Sequence, residues 1–141
     1  MNSLKTGQQL IGFNERSDRA KDDFYATPHE TTEALLSVET FLGEIWEPCC
    51  GQGHIATVLE KHGYQVEATD LVDRGFGKSR IDFLMETKQR KNIVTNPPYG
   101  ALALPMARQA VRLAKGKVAL LLKLQFLEGI ERKSFFKQDR P

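Results

Sequence analysis

Hydrophobic positions fall along this chain in alternating helix-like and strand-like blocks. "TPHETTEALLSVETFL" opens with a helix-start signal: Thr27 as cap, Pro28 at the first helical position, and Glu30 completing a capping box. Ala34, Leu35, Val38, Phe41 and Leu42 then fall on one helical face. "EIWEPC" predicts a short strand ending in the loop "CGQG". "HIATVLEKHG" returns to helical spacing through Ile55, Val58, Leu59 and His62, with Gly63 as its stop. "YQVEATD" alternates Tyr64, Val66 and Ala68, predicting a second strand that ends at Asp70.

Beyond it, "LVDRGFGKS" reads as a loop, "RIDFL" as a small third strand and "METKQRK" as a polar helix or turn. "NIVTN" is the next buried strand, cut off by Pro97 and Pro98. "PMARQAVRLAKG" predicts a helix begun by Pro105, with Met106, Ala110, Val111, Leu113 and Ala114 on its apolar side. "KVALLLKLQFL" is an apolar strand and "EGIERKSFFKQ" a last helix or tail. Strand–helix units in series predict an α/β fold, a mainly parallel sheet with helices on both faces. Residues 1–23 are polar without a period, so a flexible or irregular arm is expected ahead of one domain at 24–141.

Composition changes this picture little. Hydrophobic residues make up 40% and charged residues 27% of the 141-residue chain, ordinary values for a soluble globular protein. Twenty cationic and 18 anionic side chains leave a net charge of +2, which permits a polyanionic partner without arguing for one. No apolar run approaches the roughly 20 residues that span a bilayer, and the N-terminus lacks a secretion signal's apolar core. A cytoplasmic protein without membrane contact is the expectation. Cys49 and Cys50 are adjacent and match no metal-ligand spacing, so they read as small reduced core residues before any redox role. His29, His54 and His62 are scattered across separate elements, and no metal site is expected.

In parallel sheets ligands bind at the carboxyl ends of the strands. The unusual clusters here, "EPCCGQG", Asp70, "IDF" and "NPPY", all lie at such ends. Gly51 and Gly53 allow a tight turn and close approach of a ligand to the backbone, although Gly-x-Gly loops are as often structural. Ala56 stands where a dinucleotide fingerprint has its third Gly, and no Gly-Lys-Ser/Thr of a phosphate loop follows. Glu47 would repel a phosphate and suits a cationic amino group. Asp70 can accept both hydroxyl hydrogens of a ribose, or be a solvated turn carboxylate. Asp82 can accept from an exocyclic amine while Phe83 packs on a purine; together these positions outline a nucleoside bearing an amino acid.

The corner Asn96-Pro97-Pro98-Tyr99 carries the sharpest signal. Proline holds its predecessor out of helix, so Asn96 and Pro97 are both extended. The Asn96 side-chain oxygen and the Pro97 carbonyl then converge as acceptors for the two hydrogens of an –NH2 group. Such a grip favours a pyramidal nitrogen with its lone pair aimed at an electrophile, by preorganisation and not by acid–base chemistry. Tyr99 can stack on the planar group bearing the amine.

These motifs resemble a known family. "EPCCGQG" followed by "TNPPYG" is similar to the class I S-adenosylmethionine-dependent methyltransferases, and more narrowly to N6-adenine DNA methyltransferases of the phage and prophage types. "FYATPHE" resembles the Thr-Pro segment that closes the methionine end of their cofactor site. The resemblance implies a Rossmann-like class I methyltransferase fold with S-adenosyl-L-methionine as cofactor. It implies cofactor contacts at Thr27 and Pro28 (methionine), Glu47, Pro48, Gly51 and Gly53 (first loop), Asp70 (ribose), and Asp82 with Phe83 (adenine). Asn96, Pro97, Pro98 and Tyr99 would hold an adenine flipped out of DNA. The family's sheet ends in an antiparallel hairpin, for which "QFLEGIERKSFFKQDRP" is too short. A homodimer or a partner chain completing the sheet edge, or a non-catalytic remnant, would each follow from that. Glutamine side chains of proteins and guanine amines of ribosomal RNA are the alternative substrates of such loops. The clusters Arg74-Lys78-Arg80, Lys88-Arg90-Lys91 and Arg132-Lys133 can meet phosphates or form ordinary solvated faces.

Overall fold

A computed structural model describes residues 25–123, 126, 128 and 130–138; the arm expected over 1–23 lies outside them. Four short strands form an all-parallel sheet: β1 (Ile45–Glu47), β2 (Val66–Ala68), β3 (Asn92–Thr95) and β4 (Val118–Leu120), in the order β2-β1-β3-β4. The helices are α1 (His29–Val38), α2 (His54–Lys61), α3 (Ala103–Leu113) and α4 (Ile130–Gln138). Two single 3-10 turns, Phe83–Met85 and Gly100–Leu102, precede β3 and α3. This is an α/β architecture compatible with a Rossmann-like fold.

Alternation along the strands feeds two cores. Ile45, Val94, Val66 and Ala119 face one way and pack with Ile55 and Leu59 of α2, Leu35 and Leu36 of α1, and Phe41. Trp46, Ile93, Val118 and Leu120 face the other way and pack with Phe83 and with Met106, Ala110 and Leu113 of α3. Helices therefore cover both faces of the sheet, as the strand–helix series predicts. A third cluster joins Phe126 and Phe135 to Ala103 and Ala107, seating α4 against α3. Among the described residues no helix is long and apolar enough to cross a membrane.

Several local expectations are corrected. "RIDFL" is not a strand: Arg80 takes φ +60°, which no strand accommodates, and Asp82 accepts from the Leu84 amide to start a 3-10 turn. "METKQRK" forms no helix. The first helix stops at Val38 because Glu39 turns extended (φ −130°, ψ 146°). Helical spacing lapses there, leaving Val38 78% and Leu42 77% exposed while Phe41 is buried. Ala34 is exposed too, and Leu36 joins Leu35 in the core. Thr27 is not the cap of α1, which has no side-chain cap bond; the Pro28 carbonyl instead accepts from the Thr31 amide at 3.1 Å. Helix α3 begins at Ala103, two residues before Pro105. Arg90 leaves the phosphate-facing set: its guanidinium pairs with Glu67 at 2.7 Å and lies 4.5 Å above the Trp46 ring.

Candidate functional site

The strand order reverses direction between β1 and β3, and a crevice opens outside the carboxyl ends of these neighbours. Such a switch point is where open parallel sheets bind ligands, because the connections leave on opposite faces and part the loops. The crevice is open to solvent at its mouth, and apolar side chains make up much of its lining. Its walls come from four segments: Tyr25–Thr27 before α1, Pro48–Gln52 after β1, Asp70 and Leu71 after β2, and Asn96–Tyr99 after β3. Arg74, Ile81, Asp82 and Phe83 complete one side, and His54, Ile55, Leu102 and Met106 the rest.

Thr27, Pro48, Gly51, Asp70, Asp82, Phe83, Asn96, Pro97, Pro98 and Tyr99 are thus brought together. Pro28, Glu47 and Gly53 are not among the lining residues. Each of these three sits next to one that is, and two of them shape the loop.

Gly53 takes φ +87° as the residue preceding α2, and a Cβ there would stand 2.6 Å from the Phe76 ring. The glycine therefore admits Phe76, which packs the segment after β2 onto the loop after β1. Gly51, at φ +55°, does face the crevice, and its amide donates to Asp70 Oδ2 at 2.8 Å. Asp70 is 8% exposed and its other oxygen accepts from the Val72 amide at 3.0 Å. This carboxylate thus fixes the loop while keeping lone pairs for a further donor.

Glu47 is fully buried at the end of β1. Its Oε1 accepts from the Thr95 hydroxyl and from the Cys49 amide, so one oxygen ties the end of β3 to the loop after β1. Oε2 is buried without a hydrogen-bond partner among the described residues. Burial pushes the carboxyl up to about 8; the Thr95 and Cys49 bonds oppose the shift, and the Asp70 charge adds to it. Near neutral pH Glu47 is therefore mostly uncharged. Burial, with Glu47 and Asp70 nearby, likewise raises the Cys49 thiol well above its ordinary value. Burial first, then the same two acids, pushes Cys50 to about 12. Neither thiol supplies a thiolate at neutral pH, and both are free.

The Asn96 amide is oriented from across the crevice. Its Nδ2 donates to the Thr27 hydroxyl at 3.0 Å, although 69 residues separate the pair in sequence. This bond fixes the rotation of the amide and leaves Oδ1 as its acceptor, on a residue that lines the crevice together with Pro97. Thr27 is buried at 6% exposure and Asn96 is half-buried, so this bond is partly shielded from water. The Tyr99 ring lies beside Tyr25, centroids 5.8 Å apart at 34°, and the Lys123 ammonium stands 4.7 Å from its centroid.

Sequence reasoning missed Tyr25, Thr95, Phe76 and Lys123, and placed Arg74 in an outward basic cluster. Only the sheet topology brings these residues to one place, and no local spacing announces it. Among the described residues no group of three or more His, Cys, Asp or Glu side chains is arranged to hold a metal ion. Compared with known proteins, the chain matches no family model and no curated sequence.

Proposed function

We propose that this chain is a class I S-adenosylmethionine-dependent methyltransferase that modifies the exocyclic N6 amine of adenine in DNA. The observation that carries the reading is the convergence of the Asn96–Tyr99 corner with Asp70, Asp82 and Phe83 in one crevice at the sheet's switch point. The lining residues fit the cofactor: the bare backbone at Gly51 permits close approach, Asp70 retains acceptor capacity for ribose hydroxyls, and Phe83 offers an aromatic wall for adenine. S-adenosylmethionine, when bound, supplies an electrophilic methyl group on a sulfonium.

The chain's own work is positional. Asn96 Oδ1 and the Pro97 carbonyl accept the two hydrogens of the target amine, and the Thr27 bond holds the Asn96 amide in the rotation this requires. Two fixed acceptors stabilise the positive charge that develops on nitrogen as its lone pair is used. Tyr99 stacks on the ring that carries the amine. A flipped adenine has the needed combination of planar ring and –NH2 edge.

The test is transfer of labelled methyl from S-adenosylmethionine to unmethylated DNA, with glutamine-bearing protein and ribosomal RNA assayed in parallel. Label recovered as N6-methyladenine and lost in Asn96→Ala is the expected result. Label on glutamine or guanine, or a folded chain that does not bind S-adenosylmethionine in a calorimetric titration, would overturn the reading.

A further inference from the structure

We propose that Lys123 and Tyr25 form, around the Tyr99 ring, a subsite for the phosphate and base of the DNA strand that carries the target, an assignment resting on the DNA reading above. Three segments far apart in the chain meet here: Tyr25 before α1, Tyr99 after β3, and Lys123 three residues beyond β4. All three lie at the carboxyl side of the sheet. Tyr25 and Tyr99 line the crevice, and Lys123 stands outside it against the Tyr99 ring.

The chemistry of the cluster selects the occupant. Tyr25 is 61% exposed although its ring is paired with another aromatic ring, so much of its apolar surface faces solvent. Exposed aromatic surface at the mouth of a crevice is costly unless a partner covers it. A base has a π-face for such a surface whatever its identity. Lys123 is exposed with its ammonium over the Tyr99 ring, and no ion pair to it is seen among the described residues. An ammonium held over an aromatic ring by cation–π attraction is positioned without being neutralised. It can therefore take a phosphate oxygen without first breaking an ion pair. A glutamine side chain offers neither a ring for Tyr25 nor a phosphate for Lys123, so the cluster points to a nucleic-acid strand.

The two contacts differ in salt dependence, which makes them separable. Each phosphate neutralised on a single strand contributes about 0.7 to the slope of log affinity against log salt, whereas stacking contributes little. The experiment titrates labelled, mixed-sequence single-stranded DNA into the full chain with S-adenosylhomocysteine present, over a fourfold range of salt. Lys123→Gln is expected to lower the slope by about 0.7, so wild type loses roughly two- to threefold more affinity across that range than the variant. Lys123→Arg keeps the slope. Tyr25→Ala weakens binding roughly tenfold with the slope unchanged. Cofactor affinity is unchanged in the Lys123 variants, because Lys123 does not line the crevice. A Lys123→Gln protein that retains the wild-type slope while wild type methylates adenine overturns the subsite and leaves the DNA reading standing. Wild type that methylates glutamine and not DNA overturns both.

Discussion

Asn92 and Asn96 lie four residues apart at opposite ends of the third strand, yet their side chains are spent in opposite ways. Asn92 is 2% exposed, and its amide is saturated: Nδ2 donates to the carbonyls of Leu42 and Glu44 at 2.8 and 3.0 Å, and Oδ1 accepts from the Lys117 amide at 3.0 Å. Asn96 is half-buried at the crevice, and among the described residues its side chain makes one bond, from Nδ2 to Thr27, which leaves its carbonyl oxygen as an acceptor. A saturated buried amide stitches chain segments together. An amide fixed at one end and open at the other is a poised acceptor. Hydrogen-bond capacity left over at a rigid position, and not residue type, separates the candidate site's end of this strand from the structural one.

The sharpest way to break that comparison is to remove each amide in turn. Asn96→Ala should lower the turnover of methyl transfer by roughly a hundred- to a thousandfold, the scale seen when one preorganised hydrogen-bonding group is lost from a transition state. Its cost in stability should be about 1 kcal/mol, one hydrogen bond. Asn92→Ala should do the reverse, costing roughly 3 kcal/mol because the carbonyls of Leu42 and Glu44 and the amide of Lys117 lose their partner together. For a chain of this size that is a fall of roughly 10 °C in Tm, read by thermal melting. If Asn92→Ala kept its melting temperature and lost turnover, the distinction between the two amides would collapse.

Thr27 tests whether the open end must also be aimed. Thr27→Val removes the hydroxyl at nearly constant shape, so the Asn96 amide loses its orienting partner in a well-packed site. Turnover should fall roughly tenfold, and Thr27→Ser should restore it. A valine variant with native turnover would show that the corner's backbone alone orients Asn96.

Much of the site was legible because its parts are local. The Pro97-Pro98 corner and the Gly51 turn declare themselves in a few consecutive residues, and the strand–helix rhythm correctly located four parallel strands and the helices after the first and third of them. What escaped was set by distance or by a break in period. The proline after Thr27 and the glutamate three residues on imitate a capping box, but the Thr27 hydroxyl answers to Asn96, 69 residues away. "RIDFL" has strand-like composition, and the left-handed Arg80 forbids the strand. The apolar spacing through Leu42 continues past the point where Glu39 has already turned the chain out of helix. Glu47 was legible as an acid at a strand end. Its neutral, fully buried state was not, because burial depends on Thr95 and Cys49 closing over it.

Glu47 gives the smallest expected effect, and its sign is fixed by which state binds the proton. Burial raises the folded-state carboxyl from 4.5 to about 8, so between these values the native protein holds a proton that the unfolded chain has released. Stability from this residue is fully present below the unfolded value and is lost as pH rises through about 8. In Glu47→Gln the Oε1 position still accepts from Thr95 and Cys49, but no charge can form there. Wild type should therefore lose about 1 kcal/mol relative to the glutamine variant between roughly pH 7 and 9, measured by denaturant unfolding at each pH. Because Glu47 joins the residue before Asn96 to the loop after the first strand, ionisation strains both walls of the crevice at once. Parallel pH profiles in the two proteins would mean that the carboxyl is hydrated or paired in solution, and would remove Glu47 as the brace between these walls.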